Sequence, residues 1–353
     1  MRIIFLELVI ALLVSICLTP ILKRAALALG FLDRPARRKL HHVPIPLLGG
    51  LAIYIAAVGS VLLFVDTTTA LQVAGIVAGA TLISIVGILD DAGKLHHQFK
   101  FRIGIPVASI ILVLSGIHIT LFDQTLVNYG MTLFWVIGIV SAFNILDNMD
   151  GICAGVASVA SLFFVVNAIL NEQYFVMSLA SAVMGASIGF LVYNFHPATV
   201  FMGDIGALFL GFMMATVGVK LRFLNTPETV SWMIPVLVLI VPIFDTTLVT
   251  ISRLRRGLIP FSTPGKDHLS HRLASVGLNP RQVALVIYSL GSLGGALSLV
   301  IPTLSVVGAY IVLGAVALVG VLGVYFLERV PFEDQRTYRT ESDLKGATIS
   351  SIP

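Results

Sequence analysis

Residues 131–151 read MTLFWVIGIVSAFNILDNMDG. An apolar run ends abruptly on Asn144, Asp147, Asn148 and Asp150. The run has the length and composition of a membrane-spanning helix, which needs about 20 apolar residues. Acids at the mouth of such a segment are costly, so they are functional candidates by default.

The rest of the chain repeats the apolar theme. It has 353 residues, 57% hydrophobic and only 11% charged, with a mean hydropathy of +1.00. Soluble proteins average about 25% charged residues, so the composition excludes a soluble globular class. Apolar runs fall at about 3–22, 46–65, 70–89, 103–121, 128–146, 152–170, 175–194, 205–221, 231–251, 284–302 and 306–327. The expected fold class is therefore all-α, a polytopic integral membrane protein with about eleven transmembrane helices. The first run has one basic residue ahead of it and no small-residue cleavage site, which reads as a retained helix. Residues 1–330 read as a single membrane domain with polar loops at 22–45, 90–102, 144–152, 194–205 and 252–283, and 331–353 as a polar tail. Cys17 and Cys153 sit in or beside apolar runs and suggest neither a disulfide framework nor a metal pattern. The formal net charge of +4 is small, and no nucleic-acid partner is expected.

Charge placement says more than charge total. With the N-terminus outside, the even-side connectors and the tail carry every Lys and Arg of the 22 except Arg2, Lys220 and Arg222. The positive-inside rule makes that rich face cytoplasmic. Asp90, Asp91, Asp147, Asp150, Asp204, Asp245 and Asp267 fall on the same side, as does every histidine but His118. Polar chemistry is gathered at one face.

Four stretches carry it. In GILDDAGKL (87–95), Asp90 and Asp91 end a helix, where acids oppose the macrodipole. Neighbours on a helix point about 100° apart, so one can face a metal or phosphate while the other caps or contacts a second group. In NILDNMDGICAG (144–155), Asn144, Asp147 and Asp150 are spaced i,i+3 and would form one polar stripe if helical; the alternative is an ordinary Asn/Asp/Gly turn. In YNFHPATVFMGDIGALFLGF (193–212), Asp204 opens a new apolar run. A helix cap alone leaves Asn194, His196, Gly203 and Gly206 unexplained. In PIFDTTLVTISRLRRGLIPFSTPGKDHLSHRL (242–273), Asp245 interrupts an apolar segment, and Arg255 and Arg256 read as topological anchors. His268 and His271, flanked by Lys266 and Arg272, suit an anion better than zinc, because no third protein ligand is near. The basic loop RRKLHHVPIPLLGG (37–50) adds Lys39 and His41. Separate carboxylates without thiolates suit a hard divalent ion, Mg²⁺ or Mn²⁺. Together with the cations, they point to metal-assisted phosphoryl chemistry at the cytoplasmic membrane face.

In their order along the chain these stretches resemble the polyprenyl-phosphate N-acetylhexosamine-1-phosphate transferase family (glycosyltransferase family 4), its WecA/TagO branch more than MraY. The resemblance runs from about residue 33 to 275. It implies transfer of a sugar 1-phosphate, N-acetylglucosamine 1-phosphate first, from a UDP-sugar to undecaprenyl or another polyprenyl phosphate. UMP is released, and a cell-wall or surface polysaccharide is begun on a lipid carrier. The runner-up within the family is a phospho-N-acetylmuramoyl-pentapeptide transferase. The resemblance also implies Mg²⁺, a plasma-membrane location and a homodimer. It carries Asp204 over as a magnesium ligand, with Asp91 as a second, and Asp90 as the group that orients or deprotonates the lipid phosphate. Asn144, Asp147 and Asp150 match the element around uridine and diphosphate, and Asn194 an Asn ten residues before the metal aspartate. His268, as a catalytic residue, and His271 match the histidine motif, and Lys100 a basic residue after the aspartate pair. Two departures stand out: Ser270 replaces an adjacent histidine common in relatives, and KFRIGIP (100–106) lacks a nearby Gln.

The nucleophile would be a phosphate monoester, already anionic since its second pKa is about 6. Bringing two anions together is then the main obstacle, and Lys39, His268, His271 and Arg272 are the cations expected to screen it. Asn148, off the i,i+3 pattern, is expected to be a helix-end polar residue only. A different class, a cation-coupled transporter, would place its acids near the membrane midplane between inverted repeats, and the chain has neither feature.

Overall fold

A computed structural model describes residues 1–33, 43–95, 97–223, 226–259 and 265–330. Lys39 and His41 lie outside the described residues, as does the tail. The elements in order are α1 (Arg2–Leu29), β1 (Leu32–Asp33), β2 (Ile45–Pro46), α2 (Gly49–Leu62), α3 (Ala70–Asp91) and α4 (His97–Phe99). A π-helical turn (Lys100–Gly104) leads into α5 (Ile105–Leu114), followed by α6 (Thr125–Leu146), α7 (Ile152–Leu170), α8 (Tyr174–Asn194) and α9 (Gly203–Lys220). Then come α10 (Glu228–Ser231), α11 (Met233–Val238), α12 (Ile240–Arg255), α13 (Leu269–Ser275), α14 (Pro280–Val300) and α15 (Val306–Leu327).

The chain is an all-α polytopic membrane protein. Every apolar run forms helix, but not every run is long enough to span. Among the described residues, 8 helices are long and apolar enough to cross a membrane, or 9 if a bent pair counts as one span. Two of the eleven expected runs thus give helices shorter than the roughly 20 residues expected of each, and a third is bent. The run at 46–65 yields a helix of only 14 residues, because Ile45–Pro46 is drawn into an antiparallel pair with Leu32–Asp33. The run at 103–121 yields α5, which is 10 residues long and ends just before Gly116 at φ 83°. The run at 231–251 breaks at Leu239, and the two pieces meet at 77°. Pro242 explains the break: it has no N–H, and its ring collides with the carbonyl four residues back, that of Val238.

Helix ends follow local chemistry. Helix α1 stops at Gly30 in the left-handed conformation, the usual terminator. Asn279 and Gln282 form a reciprocal capping box on α14, with Pro280 at its first position. Ser305 caps α15 through the backbone N–H of Gly308.

Helix α9 is the axis of the bundle, packed by α2, α3, α6, α7 and α8, with 89% of its span buried. It is apolar on all sides, as a fully enclosed helix should be. Helix α15 is the opposite case, with only 6% of its span buried. Its apolar surface suits lipid rather than water. One glycine sets the approach that matters most. A Cβ on Gly87 of α3 would stand 2.6 Å from the backbone of Ile205. Only its absence lets the end of α3 lie against the start of α9, which brings three aspartates to one place.

Candidate active site

Asp204 is the second residue of α9, and its neighbours come from three other segments. Its Oδ2 accepts from Lys100 Nζ, which also donates to Asp90 Oδ2 at 2.7 Å. Its Oδ1 accepts from Asn144 Nδ2 at 2.8 Å. Side-chain exposures are 11% for Lys100, 14% for Asp90 and 23% for Asp204, so the cluster is sheltered but reachable from one side. The family resemblance implies Lys100 only as a loose match; the structure puts its ammonium between two carboxylates.

The adjacent acids divide as their helical angle requires. Asp90 faces Lys100. Asp91 turns to the N-terminus of α9 and accepts from the backbone N–H of Asp204 at 3.1 Å and of Ile205 at 3.4 Å. A carboxylate satisfies the free donors of a first helical turn and complements its dipole. Gly203 permits this, with φ at +65° and a position where a Cβ would lie 2.3 Å from Asp91 Oδ2. A backbone strap adds support: Gly49 and Gly50 donate to the carbonyls of Phe201 and Met202, both at 3.0 Å.

The Asn144–Asp147–Asp150 stripe does not persist as helix. Helix α6 ends at Leu146, Asp147 is its C-cap, and Gly151 turns left-handed to start α7. The three side chains therefore go to different partners. Asn144 holds Asp204. Asp150 accepts from the backbone N–H of Ala198 at 3.0 Å and pairs with His196 Nδ1 at 2.8 Å. Asn194 accepts from the Gly151 N–H at 3.1 Å and donates to the Val200 carbonyl at 3.0 Å. Asp150 and Asn194 thus clamp the 147–151 turn to the 194–200 segment, and their visible bonds are scaffold bonds. The Asp147 carboxylate makes no hydrogen bond or ion pair among the described residues, although its backbone N–H closes α6 on the Phe143 carbonyl. Burial, reinforced by the charges of Asp204, Asp150 and Asp33, pushes its pKa up to about 7. It is the unengaged acid of the site.

The histidine motif sits on α13, and a buried dyad aims it. Asp245, 1% exposed, pairs its Oδ2 with His268 Nδ1 at 3.0 Å and accepts the Leu269 N–H at 2.7 Å. An ionised carboxylate only accepts, so Nδ1 carries the proton and Nε2 is left for a ligand. The His271 ring lies 5.9 Å from that of His268. Burial first, then His268 and Lys266, push its pKa down to about 4. His271 is therefore neutral near pH 7, a hydrogen-bonding group rather than the cation expected of it. Ser270 hydrogen-bonds Asn148 Oδ1, which ties the histidine loop to the turn holding Asp147.

Arg272 is a second correction. Its side chain is 0% exposed. It donates to the Asp267 carbonyl at 2.9 Å, Ser252 Oγ at 2.9 Å, the Leu327 carbonyl and Glu328 Oε1 at 2.6 Å. A buried guanidinium so fully engaged pins the end of α15 to the histidine loop instead of facing a substrate. Arg253 grips Asp267 with two bonds of 2.9 Å, and Arg256 joins them. Burial alone would raise Asp267, but Arg253, His268 and Arg256 hold its pKa below the usual value. Arg256, read as a topological anchor, is thus part of this bonded loop.

Sequence reasoning passed over three residues. Asp245 stood out as an acid inside an apolar run yet received no role. Asn148 was set aside because it misses the i,i+3 spacing, although a helix that ends at Leu146 makes that spacing irrelevant. Ser270 counted only as a missing histidine.

The pattern of glycosyl transferase family 4 matches residues 73–222, which contain Asp90, Lys100, Asn144 and Asp204. A Bacillus subtilis protein named "Probable undecaprenyl-phosphate N-acetylglucosaminyl 1-phosphate transferase" is 37% identical over 295 residues, 80% of each chain. The chain belongs to glycosyl transferase family 4. A decaprenyl-phosphate N-acetylglucosaminephosphotransferase of Mycobacterium tuberculosis is 31% identical over 335 residues, 83% of this chain and 81% of that protein. An undecaprenyl-phosphate alpha-N-acetylglucosaminyl 1-phosphate transferase of Yersinia pestis is 26% identical over 345 residues, 92% and 91% of the two chains.

The donor chemistry of this family 4 site can be tested against a divalent cation. Among the described residues, no three His, Cys, Asp or Glu side chains converge to hold a metal by themselves. The oxygen donors fit Mg²⁺ nonetheless, since Mg²⁺ is commonly bound by one or two carboxylates plus water and substrate phosphates. Asp90 and Asp204 share the single ammonium of Lys100, which leaves negative charge at this pair for a cation to balance.

Proposed function

We propose that this chain transfers N-acetylglucosamine 1-phosphate from UDP-N-acetylglucosamine to a polyprenyl phosphate and releases UMP. The observation that carries the reading is the Asp90–Lys100–Asp204–Asn144 cluster at the mouth of the bundle, in a chain whose relatives are named for this transfer. An oxygen of the lipid phosphate bonds to the β-phosphorus of the nucleotide sugar. The bond from that phosphorus to the bridging oxygen breaks, its electron pair leaves on UMP, and the sugar keeps its own oxygen.

Mg²⁺ would be held by Asp204 with Asp90 beside it, while Asp91, which accepts the first N–H groups of α9, would hold Asp204 in position. Bound there, it would supply charge neutralisation for the diphosphate. Lys100 offers a fixed positive charge to the incoming phosphates, where sheltered preorganised charge is most effective. His268, its Nδ1 held by Asp245, would as an imidazolium donate its Nε2–H to a phosphate oxygen. Asp147 and Asn144 would contact the nucleotide end. The positive-inside distribution supports a cytoplasmic site and an N-terminus outside.

The test is UMP release by purified protein given polyprenyl phosphate, Mg²⁺ and a panel of UDP-sugars. Release is expected with UDP-N-acetylglucosamine above the others. Release only with the muramoyl-pentapeptide nucleotide would transfer the chain to that branch, and no release with any would sink the reading.

A further inference from the structure

The membrane face opposite the aspartates holds a cavity that the transfer reaction does not use. It has a volume of about 300 Å³ and is lined by Asn171, Gln173, Tyr174, Phe175, Lys220 and Arg222, with Val176. Helix α9 carries Asp204 at its start and Lys220 at its end, 18 residues in all. At 1.5 Å per residue the 16 steps from Asp204 to Lys220 set the two sites roughly 24 Å apart. No one substrate headgroup spans that distance.

The charge placement is unusual. Cations are sparse on this side of the chain, where Arg2, Lys220 and Arg222 stand alone, yet two of the three line one cavity. The Lys220 ammonium lies 5.7 Å from the centre of the Phe175 ring. Arg222 Nη2 donates to the His118 carbonyl at 3.0 Å. Gln173 fixes the Arg222 backbone from both sides, accepting its N–H at 2.9 Å and donating to its carbonyl. No carboxylate forms an ion pair with either cation among the described residues; Glu228 attracts Arg222 only at longer range. The two cations repel each other.

Each has an ordinary explanation when taken alone. Lys220 complements the C-terminal dipole of α9, and Arg222 closes a loop onto His118. Neither explains why two like charges without acid partners share a cavity on the face where such charges are disfavoured. A bound anion does, because it relieves the repulsion and accepts charge-assisted hydrogen bonds from both. The volume is at the lower end for small-molecule sites, about 300–1,000 Å³, and suits a headgroup rather than a nucleotide sugar.

We infer that this cavity binds a phosphate group, from a phospholipid headgroup of that leaflet or from free phosphate. The experiment measures the unfolding temperature of the detergent-purified full chain against added phosphatidylglycerol, phosphatidylcholine or inorganic phosphate. If a headgroup is the ligand, phosphatidylglycerol stabilises the wild type at about tenfold lower concentration than phosphatidylcholine, the effect of one charge-assisted bond. K220Q/R222Q abolishes the difference. If free phosphate is the ligand, inorganic phosphate gives the same shift and the same loss. The single variants K220Q and R222Q each weaken the response, and K220R/R222K, which keeps both charges, retains it, so a double variant that fails to fold does not block the test. Equal responses of wild type, K220Q and R222Q in every arm would overturn the inference.

Discussion

Replacing Lys100 with methionine removes the one ammonium between Asp90 and Asp204 while keeping most of the side chain's apolar length. At 2.7 Å from Asp90 Oδ2 and an effective dielectric constant of about 20, the attraction in that pair alone is roughly 6 kcal/mol. The desolvation of both partners cancels part of it. Breaking sheltered pairs by removing one member typically costs about 3–5 kcal/mol, because the remaining charge stays uncompensated. Lys100→Met should therefore lose about 3 kcal/mol of stability in detergent with EDTA, read by SDS-induced unfolding. A divalent cation would substitute for the ammonium, so Mg²⁺ should stabilise the variant more than the wild type. At a hundredfold excess over its dissociation constant, the recovery is about 2.7 kcal/mol. Transfer, measured as UMP release, should still fall about a hundredfold, the scale of losing one preorganised charge at a reacting centre. A variant as stable as wild type in EDTA, within about 0.5 kcal/mol, would refute the reasoning, as would equal Mg²⁺ stabilisation of both proteins.

Asp245→Asn replaces an acceptor with an amide that can donate to His268 Nδ1, so the imidazole proton moves to Nε2. Losing about 2 kcal/mol of charge-assisted bonding corresponds to about a thirtyfold drop in kcat, and an unchanged kcat would count against the dyad. Asp147 gives a pH dependence. Its pKa is about 7 in the fold against 3.8 in the unfolded reference, so the folded chain holds a proton that the unfolded chain releases. Metal-free stability should fall as pH rises between those values, and Asp147→Asn should flatten that slope in unfolding series at pH 5 to 8. Gly203→Ala puts a side chain at φ +65° and pushes on Asp91. It should cost about 1–2 kcal/mol for the left-handed backbone alone and reduce transfer through the displaced Asp204, with thermal unfolding and UMP release as the readouts.

Much of this was legible in the amino-acid pattern, because long apolar runs and the polar mouths between them are local properties. The runs around 128–146, 152–170 and 175–194 became helices nearly end to end. The errors arose where a local signal was outweighed by something distant. The 46–65 run lost its start to a pairing with residues 32 and 33, which no hydropathy window contains. The break at Leu239 was written in Pro242, but the apolar character around it masked the proline. In the site, residue type announced the importance of Asp90, Asn144 and Asp204. It did not distinguish a group that faces a ligand from one that holds another group in place. Asp91, Asp150, Asn194 and Arg272 all carry polar side chains in the right stretches, yet their visible bonds run to the protein itself. That division depends on which side of a helix faces which neighbour, and it appears only when α3, α6, α9 and α13 are brought together.

The most direct test of the proposed chemistry follows the β-phosphorus of UDP-N-acetylglucosamine. With that atom radiolabelled and polyprenyl phosphate present, the label should move into the lipid fraction together with the sugar, leaving unlabelled UMP in solution. Label that stays in solution as UDP while sugar appears on the lipid would mean that the sugar alone is transferred, and would contradict the account.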